Sequence, residues 1–311
     1  MTKLLEQIAI IRDFINSPRK QRLLLGQLAD WNKLCSSLDV VGDTSIAIES
    51  YLTTMKPKSD GETYVVIYGI LQVLFVQQDA VEHIADSLNL QYTPDALLTE
   101  IREVRNDSVG HPTKRGSGKG SKFNFINRSS MGATGFQLMT TYADRMEPQF
   151  RHIDIPKLIN TQRTKLTKIL SQIVSALREE EMKHRKKFQN EKLADVFPHT
   201  LDYYCSKMCE SIWGHMPKVF GAGMVDIVIN YVTEFKEALN RRGLLKALDS
   251  TTYLFDQLSY PLTKLKTYFS DVANPEFNDK DALIFVFFIR EHINELRDIA
   301  KEIDGQYASE P

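Results

Sequence analysis

Arg105 and His111 stand six residues apart in the stretch Val104-Arg105-Asn106-Asp107-Ser108-Val109-Gly110-His111-Pro112. An arginine stays protonated and offers a planar fork of N–H groups to phosphate oxygens. A histidine accepts and returns a proton near neutrality. Metal-free cleavage of an RNA backbone needs both. The imidazole serves as base for a ribose 2′-hydroxyl or acid for the leaving oxygen. The guanidinium stabilises the charge that builds around phosphorus. Asn106 adds an amide that orients His111 or the phosphate. No cluster of carboxylates suggests a metal site, and the sequence implies no cofactor.

Spacing of this kind recurs in the chain, at Arg145…His152 and Arg178…His184. Pro148 interrupts the first. The second lies in a charged helical stretch, where a six-residue step turns roughly 240° and parts the two side chains. Local context separates Arg105…His111 from both. Thr93-Pro94-Asp95 reads as a helix start, with a hydroxyl N-cap and Pro at the first helical position. Leu97, Leu98, Ile101 and Val104 repeat at helical spacing, and Arg105 continues their stripe. The pattern predicts a helix over 94–109. Gly110 suits the left-handed position just past a helix end. Pro112 holds His111 in an extended conformation.

The pattern resembles the signature of the HEPN family: Arg, a polar residue, four to six residues, then His. Here Arg105 and Asn106 are followed by four residues and His111. The resemblance covers roughly residues 40–115. It implies an all-α fold, an antiparallel helical bundle, and a metal-independent ribonuclease of the toxin or phage-defence type. His111 would be the general acid or base and Arg105 the phosphate stabiliser, leaving a 2′,3′-cyclic phosphate. The family pairs protomers, so a homodimer sharing one cleft is expected, restrained by an antitoxin or another regulatory protein. Relatives also exist that bind nucleotides or proteins without cutting, and that is the alternative reading. Family members often carry a further polar residue facing the motif from a neighbouring helix. Gln77, Gln78 and Asp79 interrupt an apolar stripe in the preceding helix, and Arg105 is the expected partner. Gln78, Asp79 and Asp107 are therefore read as supporting residues.

Net charge is −1, so attraction to RNA must come from a local patch. Lys114, Arg115, Lys119 and Lys122 supply one in a Gly- and Ser-rich segment directly after His111, with Phe123 and Phe125 placed for base stacking. Its Gly118-Lys119-Gly120-Ser121 lacks the spacing of a phosphate-binding P-loop.

The 311 residues divide into a helical bundle over 1–112, a basic loop with one β-hairpin over 113–154, and a second helical region over 155–311. Helices are predicted over 3–16, 18–38, 43–52, 62–89, 94–109 and 155–190. Others follow over 195–213, 222–241, 244–257, 260–270 and 279–303. The hairpin joins Phe123–Ile126 to Phe136–Met139. Aromatic residues of the last region (Tyr203, Tyr204, Phe220, Tyr231, Phe235, Tyr253, Phe255) suit either a core or a docking surface. Cys205 and Cys209, one turn apart, read as a buried helical pair rather than zinc ligands. The apolar run Ala282 to Ile289 is too short to span a bilayer. Three cysteines make no disulfide framework. The expected setting is cytoplasmic, away from membranes.

Overall fold

A computed structural model describes residues 2–271 and 277–308. The chain forms two compact units, Met1–Ile15 with Leu24–Leu177, and Asn16–Leu23 with Arg178–Pro311. The division falls at 177/178, inside a helix, and not at the expected 154/155. The reason lies in the core: Phe136, Leu138 and Ile153 of the sheet are buried with the helical residues of the first unit.

The first unit is built from α1 (Lys3–Asn16), α3 (Leu28–Thr53), α4 (Asp60–Ser87), α5 (Ala96–Arg105), three strands and most of α6 (Ile155–Phe188). The short helix α2 (Pro18–Leu25) lies largely in the second unit's portion of the chain. Helix α3 is unbroken where two helices were predicted. Asp43-Thr44 looks like a helix start, but the Thr44 hydroxyl donates back to the carbonyls of Val40 and Val41 (2.6 and 3.1 Å). The side chain that should cap is satisfied inside the helix instead. Ser59 caps α4 by accepting from the Glu62 amide at 3.3 Å. By length and composition α4 could cross a membrane. Here its apolar face (Ile67, Leu71, Leu74, Val81, Ile84) is buried in the bundle core.

The predicted hairpin is a three-stranded antiparallel sheet, β1 (Lys122–Gly132), β2 (Gly135–Tyr142) and β3 (Arg145–Asp154), in that order. Strand β3 escapes pattern reading because only Ile153 of its residues is buried. Pro148 sits where a two-sided strand would need an N–H, and an edge strand tolerates it. Helix α3 holds the β1–β2 turn through Tyr51, whose hydroxyl donates to the Ala133 carbonyl at 2.6 Å. Burial pushes that hydroxyl up to about 12.

The second unit packs α7 (Leu201–Ile212), α8 (Lys218–Arg241), α9 (Asp249–Ser270) and α10 (Asp279–Ala308) around Val228, Phe235, Leu258, Leu265, Val286 and Ile293. Helix α9 replaces two predicted helices. Pro261 lies within it, buried among Leu258, Leu262 and Leu265, and packing offsets the lost hydrogen bond. The aromatic residues divide: Phe235 and Phe255 are core, while Tyr203 and Tyr253 are exposed. Cys205 and Cys209 are buried, and burial pushes the Cys205 thiol up to about 11.

The two glycines that close the β1–β2 turn provide a matched test. A Cβ on Gly135 would overlap the Ile153 carbonyl oxygen of β3, whereas a Cβ on Gly132 would meet nothing within 4 Å. Gly135→Ala is expected to lower unfolding stability by about 1–3 kcal/mol. Gly132→Ala should change it by no more than about 0.5 kcal/mol. Urea unfolding of the pair checks this, and equal effects would refute the strand geometry.

Candidate functional site

Helix α5 begins two residues later than predicted, capped by Asp95, which accepts from the Leu97 amide at 2.9 Å. Its buried stripe is Leu98, Ile101 and Val104. It does not end in a left-handed glycine. Residues Asn106–Gly110 widen into a π turn, closed by the His111 amide donating to the Asn106 carbonyl at 2.7 Å. Such turns are rare and cluster at functional positions.

Gly110 is a glycine for a different reason from the one predicted. It is absent from the positive-φ glycines. A Cβ there would lie 2.6 Å from Nη1 of Arg105. The glycine makes room for the guanidinium to lie back over the turn. His111 follows with φ −141° and ψ 52°, so it leaves the helix but stops short of the fully extended conformation expected before Pro112. Its side chain is exposed.

Arg105 donates from Nε and Nη2 to Oε1 of Gln72 (3.0 and 2.8 Å) and from Nη1 to Oδ1 of Asn106 (3.0 Å). The group lies over the ring of Phe75, 4.4 Å from its centroid. A guanidinium has five N–H bonds, so one remains on each terminal nitrogen. Both acceptors are neutral amides, and no carboxylate offsets the charge of Arg105 among the described residues. Asn106 thus serves Arg105 with its side chain and the His111 backbone with its carbonyl, and does not orient the imidazole.

The predicted partners of Arg105 serve its neighbour. Arg102 donates from Nε to Gln78 (2.9 Å) and from Nη2 to Asp79 (2.5 Å), with Glu82 at 3.6 Å. It too lies over Phe75, at 4.8 Å. Gln77 points elsewhere, donating to Thr44 and Ser45. The correction is one of register. Rising positions on α5 (102, 105) meet falling positions on α4 (79, 72), so the helices run antiparallel. Arg105 therefore meets Gln72, nearly two turns before Gln78. A signal for Gln72 exists in the sequence: it is the lone polar side chain in Gly69-Ile70-Leu71-Gln72-Val73-Leu74-Phe75-Val76.

Asp107 is an anchor. It accepts from Arg115 (2.9 Å), Lys122 (2.8 Å) and Asn124 (3.5 Å). Glu103 takes the other end of Arg115 at 2.6 Å. That hydrogen bond, the largest influence, raises the pKa of the Arg115 guanidinium above its ordinary value. Two of the four expected phosphate-binding cations are therefore clasped to α5 and its turn. Lys114 and Lys119 are exposed and have no carboxylate partner among the described residues. The remaining Arg…His pairs do no such work. His152 lies on the exposed strand β3, and His184 is bonded to the Tyr307 hydroxyl at 2.8 Å, its pKa lowered chiefly by burial.

The Gln72–Arg105 contact is testable as a coupling. Gln72→Leu removes the acceptor of two N–H groups and should cost about 1 kcal/mol in urea unfolding. In a double-mutant cycle with Arg105→Leu, a coupling of at least about 0.5 kcal/mol is expected. Strict additivity would show that the amide does not hold the guanidinium.

No protein-family model, no curated protein and no solved structure matches this chain significantly.

Proposed function

We propose that the chain is a metal-independent endoribonuclease of HEPN type, in the toxin or phage-defence sense and acting in the cytoplasm. One observation carries the reading. The only cation of the α5 cluster held by neutral amides alone, Arg105, stands at one end of a π turn whose other end carries the exposed His111. Arg102 and Arg115 beside it are neutralised by carboxylates. Arg105 keeps its charge and two N–H donors for an incoming phosphate.

In this reading the 2′-oxygen attacks phosphorus as His111 takes its proton. The bond from phosphorus to the 5′-oxygen breaks, and that oxygen leaves with a proton. The products are a 2′,3′-cyclic phosphate and a 5′-hydroxyl. Arg105 binds the non-bridging oxygens while charge accumulates on them. One imidazole cannot take the first proton and give the second at the same moment. A second copy of the motif, brought by a partner protomer, supplies the missing group. The surface between α3 and α4 suits that role. It holds an apolar groove of about 260 Å³ lined by Ala47, Met55, Val65, Gly69 and Val73. Val65 is 72 % and Ile46 71 % exposed. The groove lies on the same helix as Gln72.

A second reading, a non-catalytic RNA- or protein-binding module, draws on a specific feature. Arg105 is partly capped by Gln72, Asn106 and Phe75. Incubation with total RNA in EDTA separates the two. Cleavage should persist without metal, and His111→Ala and Arg105→Ala should each slow it by about 10²-fold or more. Full activity in both variants, or none in the unaltered protein, would leave only the binding module. The dimer is checked by sedimentation. Val65→Asp should shift a two-protomer mass to one, and a monomeric mass before substitution would remove the shared cleft.

A further inference from the structure

Alternation along a strand sends every second side chain to the same face of a sheet. One face here is the core face, where Phe136, Leu138 and Ile153 are buried. Strand register places the intervening residues on the other face in rows. Phe125 stands opposite Met139, which stands opposite Phe150. Asn127, Gln137 and His152 form the next row, and Phe123 faces Thr141. None of these eight positions holds a carboxylate.

A solvent-facing side of an antiparallel sheet is normally polar. This one shows two half-exposed rings, Phe125 at 51 % and Phe150 at 56 %. Cations border it. Lys114 and Lys119 precede β1, both exposed and without a carboxylate partner among the described residues. Strand β1 is also tied to the motif, because the Asn124 amide donates to the Pro112 carbonyl at 2.8 Å. Phe125 is thus one residue from a hydrogen bond to the neighbour of His111.

We infer that this face is a stacking platform for single-stranded RNA. Phe125 and Phe150 each take one unpaired base, Lys114 and Lys119 take the phosphate backbone, and Gln137, whose oxygen accepts from Asn127 at 2.9 Å, offers its amide N–H groups to base edges. The inference rests on the ribonuclease reading for the choice of RNA and adds that the RNA is unpaired. Strands lie about 4.8 Å apart, so the two rings stand roughly 10 Å apart across β2. That is about three times the ~3.4 Å step of stacked bases. The platform suits an extended, unstacked strand and has no use for the closed bases of a duplex.

The test uses the full chain carrying His111→Ala, so that the probe survives, and fluorescence anisotropy of a labelled oligouridylate in EDTA. Phe125→Ala and Phe150→Ala should each weaken binding by about tenfold. Leu at either position keeps apolar bulk but has no π face and should weaken binding as much, whereas Tyr should restore it. Melting temperatures should stay close to the parent's, since both rings are half in solvent. An oligouridylate–oligoadenylate duplex of the same length should bind more weakly than the single strand. Unchanged affinity in the Leu variants overturns the platform, as does a duplex bound equally well. Loss of self-association in the Ala variants with unchanged RNA affinity assigns the face to a second copy and overturns it too. The two readings fail separately. Ring-dependent binding by a protein that cuts nothing keeps the platform and removes the nuclease; cutting with ring-independent binding does the reverse.

Discussion

Three buried amides set the geometry on which the first unit depends. Gln162 of α6 donates to the Leu74 carbonyl (3.1 Å) and to Gln77 (3.0 Å), and accepts from Gln78 at 2.7 Å. Gln77 passes the chain to Thr44 and Ser45 of α3. Gln78 passes it to Arg102 of α5. One continuous set of hydrogen bonds therefore crosses α3, α4, α5 and α6. A buried amide with an unmet donor costs about 1–3 kcal/mol, so sliding any of these helices by one turn is penalised at several points together. Apolar packing alone would tolerate such a slide far better. The amides fix the register of α5 on α4, and that register decides which arginine meets which partner.

The consequence is a sorting of charge over a short stretch. Arg102, caught by Asp79 and Glu82, is structural. Arg115 and Lys122, caught by Glu103 and Asp107, are structural as well. Arg105 alone meets only amides, and Phe75 supports its face without cancelling its charge. A guanidinium held by neutral groups keeps its charge uncompensated and has little conformational freedom left to lose. The π turn contributes in the same sense, since it places the Gly110 backbone under the guanidinium and aims His111 outward.

Much of this was legible in the chain, and the gaps have physical causes. Helical periodicity located α1, α4, α5, α6 and α10 because each buries one stripe against a core. Helix α3 was misread because Thr44 has two ways to satisfy its hydroxyl, one inside a helix and one at its start. Strand β3 gave no alternating pattern because it is an edge with one buried residue. At the candidate site, the sequence singles out Arg105, Asn106 and His111 but not the groups that hold them. Gln72 and Gln78 are both amides on α4, and nothing local says which will lie opposite Arg105. That choice belongs to Gln162, some ninety residues further on. The clasping of Arg115 and Lys122 escaped for a similar reason: a sequence shows cations but not the carboxylates that close over them.

The clasp at Asp107 has an evolutionary side. One carboxylate holds Arg115, Lys122 and Asn124. Aspartate and asparagine codons differ by a single base, and the two side chains have nearly the same shape. Such an exchange would leave the backbone in place yet dissolve two ion pairs at once. Glu103 would still hold Arg115, so a lineage carrying this fold has a one-step route from a doubly tethered basic segment to a singly tethered one.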